Sequence, residues 1–253
     1  MLIPAWQQFA AIYASILVSA PLLLRATFKF SARCNPVPVG SQEVPPMVQG
    51  LVGRCAQSFE ALGFSLVGYF DLGSLAPNTR SYIAYFAYRS LGTFANVSVV
   101  SSPVKTAGYF EFSSSFANGL TLDTNTNGSA SLTPPQPDIL IFRFPEIFDA
   151  TELFQIHRRL IQKHARGLQP RLPAEGQEAS RIKAQVELFG QRQARSGYMY
   201  LGRDGSAYRL TWKGAFLMGW KSVWPISPIR TSLYQSKMKQ RLRSLGQGGI
   251  ASV

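Results

Sequence analysis

The longest hydrophobic stretch of the chain lies at its N-terminus. No charged side chain occurs over residues 2–24, and only Ser15 and Ser19 interrupt the apolar central part. A helix of about 20 apolar residues is long enough to cross the hydrocarbon core of a bilayer. The pattern therefore predicts a single transmembrane anchor within residues 1–25.

The residues that flank this stretch bear on its processing and its orientation. A cleaved signal peptide begins with basic residues. Here no Lys or Arg precedes the apolar run, so we expect a retained anchor rather than a cleaved one. Arg25, Lys29 and Arg33 follow the run, and basic flanks tend to stay on the cytoplasmic side. The sequence thus predicts a single-pass protein of the cell membrane whose soluble part is cytoplasmic.

A helix and then a series of strands are predicted in the first half of the soluble part. Apolar residues recur at helical spacing from Val48 to Leu62, and Gly63 follows as a stop. Runs rich in Tyr, Phe, Val and Thr come next, separated by turn residues, and they predict an antiparallel β-meander. The predicted strands cover residues 64–71, 80–89, 93–101, 108–115 and 120–126, with a short continuation to residue 133.

Two tight hairpins are predicted within the meander, at Asn118-Gly119 and at Asn127-Gly128. Both central residues of a type I′ turn need a positive φ, which Asn and Gly tolerate. Further along, Asp149 caps one helix and a second helix covers residues 175–195. A hairpin that turns at Asp204-Gly205 follows, and Thr211 caps a short helix that ends before Pro225.

These elements predict an α+β protein, in which an N-terminal single transmembrane helix precedes an antiparallel β-meander packed with several helices. The expected divisions are an anchor (residues 1–25), a Pro- and Gly-rich linker (26–46), a cytoplasmic α+β domain (47–225) and a basic, partly disordered tail (226–253).

The distribution of charge indicates an anionic partner. The formal net charge is +13, and it is not spread evenly. Residues 1–150 hold 8 Lys or Arg and 8 Asp or Glu, whereas residues 151–253 hold 18 and 5. The C-terminal excess favours contact with the phosphates of lipid or of nucleic acid. Cys34 and Cys55 are too few for a disulfide framework.

An aromatic row precedes the basic tail. Trp212, Phe216, Trp220 and Trp224 recur at every fourth residue, so they share one side of a helix. Such a helix is either interfacial, with rings at the level of the lipid head groups, or packed on the domain core. Nearby basic residues would then meet anionic lipid. The candidate lipid- or anion-binding residues are Trp212, Lys213, Trp220, Lys221, Trp224, Arg230, Lys237, Lys239, Arg241 and Arg243.

One segment resembles half of a calcium loop. Asp123, Asn125 and Asn127 alternate before Gly128, as oxygen ligands do at the start of such a loop. Pro134 stands where the loop needs a bidentate carboxylate, so the alternative is a simple hairpin tip. These three residues are weak metal candidates, and no cofactor is expected.

No catalytic motif is evident. The sequence lacks a nucleophile elbow, a Walker-type loop and a dinucleotide-binding loop. His157 and His164 are seven residues apart, a spacing that favours structural or solvated histidines over zinc ligands.

The two carboxylates of the meander, Glu111 and Asp123, are not expected to form an acid–base couple. A two-residue turn at Asn118-Gly119 would place Asp123 opposite Ser114. By the same register, Glu111 would stand opposite Thr126, so the two acids would not share a site.

Three functions remain open. The first is a membrane-anchored, non-enzymatic binding or scaffold protein, whose basic C-terminus contacts anionic lipid and whose domain binds a protein partner or an apolar ligand. The alternative is a nucleic-acid-binding protein that uses the C-terminal helix-hairpin-helix region, although its basic residues gather after Pro225 rather than on a recognition helix. The third is an enzyme, which would need Asp123, Glu111 and a histidine in one pocket.

The interior of the meander would separate two of these possibilities. A closed cavity lined by Tyr69, Tyr82, Phe86 and Phe110 would indicate a small apolar ligand, whereas a filled core would indicate a scaffold.

Overall fold

The computed structural model describes residues 4–247 and contains two β-sheets joined by helices. Its class is α+β, as predicted, with an apolar N-terminal helix and a mostly antiparallel seven-stranded sheet. The helices are α1 (Ala5–Thr27), α2 (Pro46–Ala61), α3 (Ala150–His164), α4 (Glu178–Arg195), α5 (Trp212–Ser222) and α6 (Ile226–Gln247). The strands are β1 (Lys29–Ser31), β2 (Val37–Val39), β3 (Ser65–Gly73), β4 (Arg80–Tyr88), β5 (Thr93–Ser101), β6 (Thr106–Ser115), β7 (Thr121–Asn125), β8 (Ile139–Arg143), β9 (Met199–Leu201) and β10 (Ala207–Leu210).

The large sheet runs in the order β2-β3-β4-β5-β6-β7-β8, and one of its faces forms the main core. Because side chains alternate along a strand, every second residue of the meander points toward α2 and α3. Phe59 of α2 lies at the centre, with its ring 5.0 Å from that of Phe86 and 5.8 Å from that of Phe110. Tyr82 is also buried in this core and Tyr69 packs against it. Of the two interiors considered for these four residues, a closed cavity and a filled core, the structure has the filled core.

The opposite face of the large sheet is only partly covered. Near its β3–β5 end, Ile182 of α4 packs with Phe70, Tyr85 and Phe94. Cys34 is buried in the same cluster, where burial raises the pKa of its thiol to about 11. Toward β6, β7 and β8 this face carries polar side chains and forms the floor of a cleft.

The connection from β7 to β8 corrects one of the two predicted hairpins. β8, which the sequence pattern did not reveal, pairs in parallel with β7, so the chain must cross back rather than turn at Asn127-Gly128. The intervening segment, residues 126–138, is irregular and is here named the crossover loop. The predicted strand continuation to residue 133 is absent from it, because the prolines that follow cannot donate ladder hydrogen bonds.

The other hairpin turns where predicted but through a longer loop. The N–H of Phe116 donates to the carbonyl of Leu120, which leaves a three-residue loop closed by Gly119 at a φ of +84°. The predicted register is therefore wrong by one residue. Asp123 lies opposite Ser113 rather than Ser114, and Glu111 lies opposite Asn125 rather than Thr126.

The expected linker and the expected disordered tail both contain regular structure. Within residues 26–46, β1 joins β10 in the small sheet, of order β1-β10-β9, and β2 joins the edge of the large sheet. In the tail, α6 extends from residue 226 to 247 and buries Met238 in the main core. Tyr234, Leu242 and Leu245 pack beside Met238 at helical spacing. Residues 248–253 of the predicted tail lie outside the described residues.

Candidate membrane surface and polar cleft

Helix α1 is long and apolar enough to cross a membrane. It has 23 residues, and its most apolar window has a mean hydropathy of 1.7. Length and composition alone do not separate a membrane span from a signal sequence. Within the fold, the C-terminal part of α1 packs on α5.

The α1–α5 contact is close and antiparallel. The guanidinium of Arg25 lies 5.0 Å from the ring centroid of Trp212, at the start of α5. One turn earlier in α1, Pro21 meets Gly219, where an added Cβ would lie 3.1 Å from the Pro21 Cγ. Later residues of α5 thus meet earlier residues of α1. The absence of a side chain at Gly219, which is buried, permits this approach.

Three residues of the aromatic row lie on α5 and Trp224 lies two residues beyond its end; all four rings are largely exposed, although Trp212 also contacts Arg25. The exposed fractions are 53% for Trp212, 52% for Phe216, 57% for Trp220 and 68% for Trp224. On α1, Ile12, Ile16, Val18, Leu22 and Leu23 are exposed as well. We name these two exposed sides together the α1/α5 surface. The other side of α5 does pack on the domain, where Ala215 and Met218 are buried with Tyr198 and Leu210.

The predicted lipid-binding cations divide into two groups. Lys213 on α5 is exposed, as are Lys237, Lys239, Arg241 and Arg243 on α6. Lys221 and Arg230, by contrast, are engaged within the protein. The Nζ of Lys221 donates to the Leu132 carbonyl at 3.1 Å, and the Nη2 of Arg230 donates to the Ser131 carbonyl at 2.9 Å. These two side chains hold the crossover loop rather than extending into solvent.

A large cleft lies between the second face of the large sheet, α4 and the crossover loop. Its volume is about 1270 Å³. Its floor is polar, because alternate residues of the strands point into it. We name this space the polar cleft, and its floor is formed by Tyr109, Glu111, Ser113, Asp123 and Arg143.

Glu111 and Asp123 are neighbours on this floor. Asn96 donates to Glu111 Oε1 at 2.8 Å, Asn125 donates to Oε2 at 3.3 Å, and the Ser113 hydroxyl donates to Asp123. Burial raises the pKa of both carboxyls. The charge of Glu111 adds to this effect and brings the pKa of Asp123 to about 7. Asp123 is therefore partly protonated near neutral pH.

Six cationic side chains surround these acids, and most of them lack a carboxylate partner. Among the described residues, only Arg192 of the six is within 4 Å of a carboxylate, that of Asp138. Arg181 donates to the Ser115 hydroxyl, and the Nε of Arg143 is buried without a hydrogen bond. The six cationic residues that line the cleft are Arg143, Arg171, Arg181, Arg192, Lys221 and Arg230.

The weak metal candidates are not gathered into a ligand set. The side-chain oxygen of Asn125 accepts from the Asn127 N–H at 3.2 Å, and that of Asn127 accepts from the Ser129 N–H at 2.9 Å. Both oxygens thus stabilise turns, and only Asp123 of the three lines the cleft. Across residues 4–247, no group of three or more His, Cys, Asp or Glu side chains is close enough to hold a metal ion.

The histidines lie away from the polar cleft. His157 is buried on the opposite face of the sheet, where it hydrogen-bonds with Ser114 at 3.0 Å and with Thr124 at 2.9 Å. Burial lowers the pKa of His157 to about 3. His164 lies against the ring of Phe142. The convergence of Glu111, Asp123 and a histidine that an enzyme was expected to need is therefore not present.

Sequence reasoning missed the cleft although its signal is visible in the strands. Asn96 and Ser98 on β5, then Tyr109, Glu111 and Ser113 on β6, alternate with apolar residues. Such alternation marks a sheet with one apolar and one polar face. Burial of the polar face depends on α4 and the crossover loop, whose positions the pattern does not predict. Comparison with protein-family models, with curated proteins and with solved structures finds no match for this chain.

Proposed function

We propose that the protein is a membrane-attached, non-enzymatic binding protein that contacts the bilayer through the α1/α5 surface. The observation that carries this proposal is the exposed aromatic row of α5 beside an apolar helix. Exposed apolar patches on a folded protein mark sites of interaction. Trp rings favour the boundary between hydrocarbon and water.

The distribution of cations also supports contact with the membrane. Lys213 lies on α5 within the aromatic row, and Lys237, Lys239 and Arg243 lie on the exposed side of α6. Each such cation gains on the order of 1 kcal/mol near an anionic leaflet. Since the basic residues after α1 favour the cytoplasmic side, we place the domain on the inner leaflet of the cell membrane.

Tryptophan quenching by brominated lipids tests the contact of α5. The full chain is reconstituted in vesicles with bromines near the head group, and Trp6→Phe removes the one tryptophan of α1. We expect the remaining tryptophans to be quenched in this variant. Trp220→Phe with Trp224→Phe in the same background should remove most of the quenching. Quenching that disappears with Trp6 alone would contradict the role of α5.

Membrane attachment and the nucleic-acid alternative are tested separately. The full chain should remain with the membrane fraction on carbonate extraction, and complete release would contradict the proposal. Salt-sensitive binding to duplex DNA, together with indifference to anionic vesicles, would contradict it too and would support nucleic-acid binding.

A further inference from the structure

The polar cleft adjoins the α1/α5 surface. Lys221, which lines the cleft, directly follows the exposed Trp220 on α5. Arg230 also lines the cleft, and its Nη1 donates to the carbonyl of Lys221 at 3.3 Å. The same side of the cleft is continued by Leu233 and Tyr234 of α6. A molecule lying in the bilayer interface would therefore meet the cleft beside the aromatic row.

The electrostatics of the cleft select an anionic occupant. Arg143, Arg181 and Arg230 face the cleft without carboxylate partners within 4 Å, since their contacts are to hydroxyl and carbonyl oxygens or to rings. Burial raises the pKa of both acids on the floor, that of Asp123 to about 7, so the pair offsets less of this positive charge than two fully ionised carboxylates would. Guanidinium groups pair with phosphate through two parallel hydrogen bonds.

The size and the walls of the cleft indicate an amphiphile rather than a small ion. Its volume of about 1270 Å³ exceeds the space that one phosphate group fills. Apolar side chains from both sides line it, among them Ile139 and Ile141 of β8, Phe189 of α4 and Leu233 of α6. A phosphate would thus meet the arginines while attached hydrocarbon meets these side chains.

The floor provides partners for hydroxyl groups. Glu111 and Asp123 each keep part of their surface open to the cleft. An ionised carboxyl accepts from a hydroxyl, and a protonated one can also donate to it. Polyhydroxylated head groups present such hydroxyls next to their phosphate.

We propose that the polar cleft binds the head group of an anionic lipid, with Arg143 and Arg181 holding the phosphate and Glu111 and Asp123 holding head-group hydroxyls. The choice of a lipid over a soluble phosphate compound rests on the proposed membrane contact of α5. The phosphate site itself depends only on the arginines.

Binding of short-chain lipids to the detergent-solubilised full chain tests this inference without a bilayer. The probes are dihexanoyl phosphatidylglycerol, dihexanoyl phosphatidylcholine, glycerol phosphate and inorganic phosphate, measured by titration calorimetry. Arg143→Gln and Arg181→Gln should each weaken phosphatidylglycerol binding about tenfold or more. Arg54→Gln, which removes an exposed cation of α2 outside the cleft and the α1/α5 surface, should leave it unchanged. Thermal unfolding of each variant excludes loss of the fold, and Arg143→Lys should retain part of the affinity.

Each outcome decides between the sources of the ligand. Preference for phosphatidylglycerol over the other three probes supports the proposal. Equal binding of glycerol phosphate identifies a soluble phosphate compound and overturns the lipid assignment, whether or not α5 contacts vesicles. Equal binding of phosphatidylcholine, or an equal effect of Arg54→Gln, overturns the phosphate site. Asp123→Asn should reduce binding of phosphatidylglycerol but not of dihexanoyl phosphatidic acid, which lacks the glycerol hydroxyls, and an equal loss for both overturns the role of Asp123.

Discussion

Burial governs the protonation of single residues on both faces of the large sheet. On the cleft side, Asp123 is half-buried next to Glu111, and both effects favour its neutral form. On the core side, His157 is fully buried among apolar rings and is neutral as well. The two residues should therefore give the stability of the protein opposite dependences on pH.

Replacing Asp123 by Asn should stabilise the protein at alkaline pH. In the folded chain the pKa of Asp123 is about 7, above its value of 3.8 in the unfolded chain. The folded state thus holds the proton more tightly, and wild-type stability falls relative to the variant as pH rises from 4 to 7. We expect a gain on the order of 4 kcal/mol for Asp123→Asn at pH 8 and less than about 1 kcal/mol at pH 4. Urea unfolding at the two pH values measures this, with exposed Glu146→Gln as control.

Replacing His157 by Gln should reduce the loss of stability in acid. The pKa of His157 falls to about 3 on folding, so between pH 6.5 and 3 the unfolded chain binds a proton that the folded chain does not. Wild-type stability therefore falls on acidification. At pH 7 the variant should be less stable than the wild type, because it loses the hydrogen bonds of the imidazole to Ser114 and Thr124. In urea unfolding, the difference in free energy of unfolding between wild type and variant should be smaller at pH 5 than at pH 7 by about 2 kcal/mol. An equal difference at the two pH values would contradict the burial of His157 in its neutral form.

A one-residue difference in loop length explains why the acid pair was not predicted. The alternation that places Glu111 on one face of its strand and Asp123 on one face of the next is visible in the sequence. Which of these faces coincide depends on the register, and a register error of one residue exchanges the faces. Asn118-Gly119 fits both a two-residue and a three-residue loop. The three-residue loop is the one that places Leu122 in the main core.

At the scale of elements, α6 shows how charge can conceal a packed helix. Residues Tyr234, Met238, Leu242 and Leu245 form an apolar stripe that lies against α3 and β8. Five cationic residues on the rest of this segment dominate its composition and favoured the prediction of a disordered tail. The spacing of the apolar residues was the available signal, and it was too sparse to stand out.

Truncation of Met238 tests whether α6 is part of the core. Met238 is 2% exposed, whereas its neighbour Lys239 is exposed. Met238→Ala should lower the free energy of unfolding by about 2–4 kcal/mol, since it removes buried methylene groups and leaves a cavity. Lys239→Ala should change it by less than about 0.5 kcal/mol. Equal, small effects in chemical denaturation would indicate that α6 does not contribute to stability.

The predictability of the other elements follows from the range of their contacts. α2 and strands β3 to β7 depend on local periodicity and short turns, and the sequence placed them within a few residues. β8 was missed because its partner β7 lies across the crossover loop. β1 was missed because its partner β10 is nearly 180 residues away, as Lys29 pairs with Arg209. Three-residue strands such as β1 carry too little pattern to be recognised alone.

At the scale of the whole molecule, α1 is joined to the rest of the domain by a very short connection. Only Phe28 separates the end of α1 from the start of β1, and β1 is held in the small sheet by β10. Arg25 adds contacts to the Tyr200 hydroxyl and to the Leu210 carbonyl. The sequence predicted a linker of some twenty residues here, which would have let the domain move freely above the membrane.

If α1 spans the bilayer as proposed, a fluorescent label on an exposed turn of the domain should report one orientation relative to the bilayer. Val104 is 95% exposed in the turn between β5 and β6, and Cys34 and Cys55 are both buried, so Val104→Cys can be labelled selectively. Energy transfer from this label to acceptors in the lipid head groups should give a narrow distance distribution. The same label after a ten-residue Gly-Ser insertion between Thr27 and Phe28, combined with Gly219→Leu to separate α1 from α5, should give a broad one. Equally broad distributions would contradict rigid attachment.

The single residue between α1 and β1 also sets how the domain can encounter other molecules. A domain on a long tether samples a volume of solution, whereas a domain joined through Phe28 to an α1 that spans the bilayer, as proposed, would remain at a fixed height above the lipid. Its encounters would then follow the surface density of molecules in the bilayer rather than their concentration in the cytosol. Diluting the membrane with inert lipid should lower occupancy of the protein, while diluting the whole suspension of vesicles should leave it unchanged.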